Sequence, residues 1–342
     1  MYSPLELWTE SCLPGISVMY KKHFGLLRKP FELSPDSNVF FLGETHKKAL
    51  AVFKRAVVAD KGFLLFTGGV GSGKTTLINV LSQTLENPGY LCIISNPTLE
   101  IDDFFYYLAA QLGFLFDGNK ARFLFIFTKL LEECGKNKRK VLLIIDEAHA
   151  LPTELLEELR LLVNMAEEVK TILCVFLVGQ PELLERLKEK QLFPLSKRIA
   201  VRYHLEQLSQ KDTIRYIHFR LNRAGVKGRN LFTKDGLELV YQATGGNPRQ
   251  INILCDNALM SACREGRLGV DGQLIRSCVK KLYIPGDDTT FFLPPERGLL
   301  RKEVILTVLA VLAVETVIGV YAYTNGWLQP VQQYVKNIFN FG

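Results

Sequence analysis

A chain of 342 residues with 48% apolar and 23% charged residues has the composition of a folded globular protein and not of a disordered one. Its formal net charge of +7 lies in the first 283 residues, because only four basic and five acidic residues follow Tyr283; a modest excess of this kind suits nucleic acid, acidic lipid or plain solvent alike. The seven cysteines never fall in CxxC or CxxH spacing, which argues against a zinc site or a disulfide framework, and no basic stretch followed by an apolar core opens the chain as a cleaved signal peptide would.

Residues 1–45 are punctuated by Gly25, Pro30, Pro35 and Gly43 and predict loops and short helices. From His46 the pattern alternates. A helix to Val58, a strand Phe63–Thr67, a helix from Lys74, a strand Leu91–Ser95 and helices over 101–112 and 121–134 are followed by a strand Val141–Ile145, a helix over 153–166 and a strand Thr171–Val178. Strands alternating with helices predict a parallel sheet covered on both faces, over 46–203. Beyond residue 204 helical periodicity takes over, near 210–224, 233–243, 248–264 and 271–282, which predicts a small helical domain over 204–283.

Residues 284–302, rich in Pro, Gly and Asp, read as a linker. Val304–Tyr323, within a segment 303–323, holds one charge, Glu315, among eleven Val, Ile and Leu residues. At about −0.3 to −0.6 kcal/mol each these offset one acidic group, so a single membrane-spanning helix is expected; the competing reading is a helix buried in protein. Arg301 and Lys302 on its N-terminal flank place the body on the cytoplasmic side, leaving residues 324–342 as a short amphipathic tail beyond the membrane.

Between the first strand and the helix that follows it stands Gly68-Gly69-Val70-Gly71-Ser72-Gly73-Lys74-Thr75, with Thr76 after it. This is a complete GxxxxGK[ST]. Such a loop wraps a phosphate in backbone N–H groups at a helix N-terminus, with Lys74 bridging the β- and γ-phosphates and Thr75 ligating Mg²⁺. The strand Val141–Ile145 then delivers Asp146 and Glu147. Asp146 suits the Mg²⁺ shell and Glu147 is placed to polarise the attacking water. The spelling Asp146-Glu147-Ala148-His149 is that of a helicase group, but no second set of strands follows residue 204; Asn137-Lys138-Arg139-Lys140 is not a guanine-reading element, which favours ATP over GTP. Phe31, Pro35, Phe40 and Phe41 read either as adenine pocket or as core, His46 as a base contact or a helix start, and His149 as structural.

Tyr20–Leu50, Phe63–Thr76, Val141–Leu151, Leu177–Leu184 and Thr244–Asn252 together resemble, in order, the lead-in and motifs of AAA+ ATPases of the general secretion pathway protein A (ExeA) type, over roughly residues 20–283. The resemblance implies an α/β P-loop core with a helical lid. It further implies that Gln180 senses the γ-phosphate where most AAA+ proteins use Asn, that Arg249 of the lid reaches the γ-phosphate, and that Arg198 is offered to a neighbouring subunit, competing for that role with Arg202 and Lys197. A site completed by a neighbour implies a homo-oligomer. The expectation is an ATPase of the inner membrane, single-pass with a cytoplasmic ATPase domain, coupling ATP hydrolysis to a cell-envelope secretion or export system through another envelope or secretion protein. The alternative is a DNA-binding regulator similar to transposition-helper ATPases.

Overall fold

The structure is a computed structural model that describes residues 20–32, 40–59, 62–84, 89–95, 99–170, 173–226, 228–282, 291–292, 309–317 and 325. The chain divides into two compact units, Met1–Leu293 and Pro294–Gly342. The first is built on a five-stranded sheet in the order β2-β3-β4-β1-β5, all pairs parallel. The strands are β1 Phe63–Gly68, β2 Gly89–Ile94, β3 Lys140–Ile145, β4 Leu173–Gly179 and β5 Ile199–Leu205.

Alternation along the strands sends side chains to two separate cores. Phe63, Leu65, Val141, Leu143, Ile145, Val175 and Leu177 pack with residues of α3 Ile101–Leu112, α4 Lys120–Lys136 and α5 Thr153–Glu168. Leu64, Phe66, Leu142, Ile144, Phe176 and Val178 face the other way, onto α1 Glu44–Val58 and α2 Lys74–Thr84. Phe53 of α1 sits edge-on to Phe66 and Phe176 at 4.8 and 5.4 Å between ring centroids. The outer edge of β2 is closed by the Gln111 carboxamide, which accepts from the Ile93 N–H at 2.8 Å and donates to its carbonyl at 3.0 Å. An edge whose polar groups are occupied in this way offers less template for further pairing.

The strand β5 was not among the predicted strands. Only its end residues Ile199 and Leu205 are buried, and Arg202 and His204 are exposed; an edge strand needs no continuous apolar run. Two short helices, α6 Glu182–Arg186 and α7 Phe193–Arg198, lie between β4 and β5.

After β5 come α8 Gln210–Arg223, α9 Lys234–Thr244, α10 Pro248–Arg264 and α11 Gly272–Leu282. Ser209, Thr233 and Asn247 cap α8, α9 and α10 by accepting from N–H groups of their first turns, each such cap being worth about 1 kcal/mol. Tyr20, Phe24, Leu26 and Phe31 are buried in the apolar cluster of these helices. The Leu27 N–H donates to the Ala224 carbonyl at 2.8 Å, and Arg220 donates to the carbonyls of Pro30 and Glu32. Residues 20–32 therefore pack as a component of the helical domain, whereas Phe40 and Leu42 pack against the sheet-side cluster; residues 1–19 and 33–39, with Pro35, lie outside the described residues.

Of the segment predicted to span a membrane, residues 309–317 are described. They are helical and expose Leu309, Val311, Leu312, Val314 and Val317. Among the described residues no helix is long and apolar enough to cross a membrane, so the structure gives the predicted span no support; the rest of 303–323, most of the linker and, Asn325 apart, the tail lie outside the described residues. Cys92, Cys134, Cys174, Cys255, Cys263 and Cys278 are buried thiols.

Candidate active site

The strand order puts the ends of β3, β4 and β1 side by side, with Thr67 level with Gly179 and Ile145 with Leu177. Open parallel sheets bind ligands at the C-terminal ends of their strands. Here those ends deliver Gly68 onward from β1, Asp146 and Glu147 from β3 and Gln180 from β4. They open onto a cavity of about 430 Å³ lined by the loop from Val70 to Thr76, by Glu147 and Gln180, and by Arg249 and Asn252 of α10.

The Gly-rich loop holds its shape through both of its neighbours. Gly71 lies at φ +74°, and a Cβ there would stand 2.6 Å from Arg249 Cβ and 2.9 Å from Asn247 Oδ1. Glycine is thus required twice over, by backbone conformation and by the close approach of α10. Asn247, besides capping α10, donates through Nδ2 to the Val70 carbonyl at 2.8 Å. The helical domain is fastened to the loop at that point. Within the helical domain the Leu208 N–H donates to the Gly246 carbonyl at 3.0 Å, next to Asn247.

Lys74 opens α2 and donates from Nζ to the carbonyls of Gly68 and Gly69 at 2.9 and 3.1 Å. Burial draws its ammonium below the ordinary lysine pKa, while the carboxylates of Glu147, Asp146 and Glu182 act in the opposite sense. Thr75 Oγ1 donates to Asp146 Oδ2 at 2.7 Å, so a hydroxyl from the first turn of α2 and a carboxylate from the end of β3 converge on one point. Ser72 Oγ is buried beneath the loop and has no protein partner. A cradle of N–H groups at a helix start, a lysine, an orphaned hydroxyl and a Thr–Asp pair fit a magnesium-bound polyphosphate.

Glu147 follows Asp146 in the left-handed region, at φ 54° and ψ 32°. For a residue with a Cβ this costs roughly 1–2 kcal/mol, and such strain gathers at working sites. Its carboxylate Oε2 lies 3.4 Å from His149 Nδ1. The His149 ring also meets Gln180, whose backbone N–H lies 3.4 Å from Nδ1 and whose side-chain Nε2 lies 3.0 Å from His149 Nε2. Arg186 donates to the carbonyls of His149 and Leu151 at 2.6 and 2.7 Å, fixing the turn that carries the ring.

Away from the loop the cavity is lined by Glu32, Phe40, Phe41, Leu208, Tyr216 and Arg220. Phe41 packs edge-on to Tyr216 at 5.6 Å, and the Tyr216 hydroxyl donates to Asn252 Oδ1 at 2.8 Å. Of the aromatic pair of readings, Phe40 and Phe41 line the cavity, whereas Phe31 is core. His46 is buried but also lines the cavity beside the loop, with Nε2 3.4 Å from the Ser72 carbonyl and its ring edge-on to Phe40 at 5.3 Å. Arg198 stands outside the cavity lining, at the end of α7, paired with Glu167 at 3.1 Å; Arg202 donates to the Ser196 carbonyl at 2.8 Å. Asn247, Tyr216 and Arg220 were not singled out from sequence. For Asn247 a signal existed, since Asn directly before Pro248 is a helix N-cap pattern; Tyr216 and Arg220 sit on α8 without any motif.

Residues 58–187 match the AAA domain family AAA_22. Over 251 residues, 72% of the chain, the sequence is 38% identical to general secretion pathway protein A of Aeromonas hydrophila. The chain carries an AAA domain and is related to that protein. It spans only 46% of the length of that relative. Among solved structures it is similar to Cdc6p of Pyrobaculum aerophilum, with a TM-score of 0.58 at 16% identity over 74% of this chain and 70% of that one. It is also similar to the ORC2 protein of Aeropyrum pernix in its ADPNP-ADP complexes, with a TM-score of 0.56 at 18% identity over 75% and 72%. At such identities these two likenesses speak for the AAA+ fold alone.

Proposed function

We propose that this ATPase is anchored in the inner membrane and couples ATP hydrolysis to the assembly or operation of a cell-envelope secretion or export system. The relation to general secretion pathway protein A over 72% of the chain carries this reading. The apolar run Val304–Tyr323, flanked by Arg301 and Lys302, supports the anchor.

In the proposed reaction ATP lies along the cavity with its phosphates in the loop Gly68–Thr75, Thr76 following it on the helix. Lys74 turns from the loop carbonyls to the β- and γ-phosphates, adding charge-assisted hydrogen bonds that strengthen as charge develops. Thr75 and Asp146 would hold Mg²⁺, which supplies charge neutralisation to the phosphate oxygens. Glu147 orients the attacking water, Gln180 and Arg249 contact the γ-phosphate from the sheet and from α10, and Arg198 serves the site of a neighbouring subunit in a homo-oligomer. Because Asn247 and Arg249 touch the loop and belong to α10, a change of phosphate state moves the helical domain.

Crosslinking of the full chain in intact membranes tests the destination of this work. Capture of envelope or secretion proteins is expected. Recovery of the full chain without detergent would remove the anchor, and ATPase activity strongly stimulated by DNA, with binding that collapses as salt is raised, would replace the reading with that of a DNA-dependent regulator.

A further inference from the structure

His149 is contested at one atom. Its Nδ1 lies 3.4 Å from the Gln180 backbone N–H, which calls for a lone pair there, and 3.4 Å from Glu147 Oε2, which calls for a proton. Its other nitrogen faces the Gln180 carboxamide at 3.0 Å. A neutral imidazole carries a single N–H, so the ring satisfies one of two exclusive arrangements. In the first, Nδ1–H donates to Glu147 while Nε2 accepts from the Gln180 amide. In the second, Nε2–H donates to Gln180 Oε1, Nδ1 accepts from the Gln180 N–H, and Glu147 is let go.

The ring is built into this position. A Cβ on Gly179 would stand 3.2 Å from the His149 N and 3.4 Å from Nδ1, so the end of β4 leaves room for the imidazole, and Arg186 pins the carbonyl of His149 from the far side. Gln180 and Glu147 line the cavity, whereas His149 joins them from behind. The Gln180 amide therefore has two claimants, the ring and whatever occupies the cavity.

We infer that His149 is a positioning residue that couples Gln180 to Glu147: a phosphate in the cavity claims the Gln180 NH₂ group, the carboxamide presents its oxygen to His149, the ring proton is exchanged from Nδ1 to Nε2 through solvent, and Glu147 is released to orient water. The number of protons on the ring is the same before and after. This rests on the reading of Glu147 as the group that orients the attacking water.

The test uses the full chain labelled with ¹⁵N-histidine, in which the His149 signals are identified among five histidines by their loss in His149→Asn. Without nucleotide, Nδ1 is expected to carry the proton; with Mg²⁺ and a non-hydrolysable ATP analogue, Nε2 is. The change is expected to vanish in Gln180→Ala. The same tautomer under both conditions, or a change that persists in Gln180→Ala, would overturn the relay. In turnover, Gln180→Ala, which leaves the ring holding Glu147, is expected to lower kcat about tenfold or more, the scale of a displaced catalytic group. His149→Ala removes the group that restrains Glu147, so the double variant is expected to be faster than Gln180→Ala alone, because both act through one path; additive losses would overturn the relay. Glu147→Gln run in parallel separates the two readings. Retained hydrolysis there removes the role of Glu147 and the relay with it, whereas lost hydrolysis with an unmoved His149 tautomer removes the relay alone.

Discussion

The two ends of the cavity are made in different ways. The phosphate end is one continuous loop, Val70 to Thr76, closed by the carboxylates that β3 delivers and by Gln180 from β4. The opposite end is assembled from Glu32 and Phe41 of the lead-in and Leu208, Tyr216, Arg220 and Asn252 of the helical domain. The first is rigid by local covalent connection and by its place at the centre of a sheet. The second exists only while the lead-in, α8 and α10 remain docked on one another. A site built in this way grips phosphate with its frame and surrounds the rest of the nucleotide with parts that belong to the helical domain.

Removal of charge from the frame is the most severe way to break that division. Lys74→Ala deletes a buried ammonium that no other group replaces; hydrogen bonds to charged groups are worth about 1.5–3 kcal/mol each, and with two phosphates involved the loss in ATP affinity is expected to exceed roughly 100-fold. Equilibrium binding of ATP and of inorganic tripolyphosphate measures it, and both are expected to fail together. Tight ATP binding by this variant would overturn the assignment of the phosphate end.

The joint between the two ends is the next target. Asn247→Ala removes the α10 cap and the hydrogen bond to the Val70 carbonyl at once, a combined loss of about 2 kcal/mol on the scale of one cap and one net hydrogen bond. Both a lower midpoint of thermal unfolding and weaker ATP binding are expected. A variant that loses stability but binds ATP as before would show that the clasp on the loop has no part in holding nucleotide.

The opposite end separates from the frame in Phe41→Ala. Loss of an aromatic face and of its edge contact with Tyr216 costs about 0.5–1.5 kcal/mol beyond area, so ATP is expected to bind roughly two- to tenfold more weakly while inhibition by tripolyphosphate is unchanged. If tripolyphosphate weakens to the same degree, Phe41 supports the loop and does not meet the base.

The same contrast decides what could be read from sequence. The loop and the Asp146–Glu147 pair were legible because each is a local pattern on a strand end, and the apolar strands β1, β3 and β4 announced themselves because both sheet faces bury them. Strand β5 did not, since Arg202 and His204 face solvent at the sheet edge. Tyr216, Arg220 and Asn252 reach the cavity through packing between segments far apart in the chain, for which no local pattern exists. The burial of Tyr20 and Phe31 in the helical cluster escaped for the same reason; a lead-in rich in Gly and Pro gives no periodicity from which its partner could be inferred.

His46 lies where the two ends meet, and it yields the smallest effect. Its Nε2 faces the Ser72 carbonyl, its ring edge-on meets Phe40, and Nδ1 is buried without a partner. Burial lowers its pKa from the ordinary 6.5, although the Ser72 carbonyl and Asp212 act in the opposite sense. The unfolded chain therefore takes up a proton near pH 6.5 that the folded chain resists. A group depressed in the folded state contributes its full stability above the unfolded pKa and loses it as pH falls through the folded one. Thermal unfolding followed from pH 7.5 down to pH 5 should show the wild type losing more stability than His46→Gln, by up to about 1 kcal/mol per unit of pH once the unfolded imidazole is protonated. Parallel slopes for the two proteins would mean that the joint accommodates a charged imidazole, and that the phosphate frame and the opposite end are less tightly sealed against each other than the burial of His46 requires.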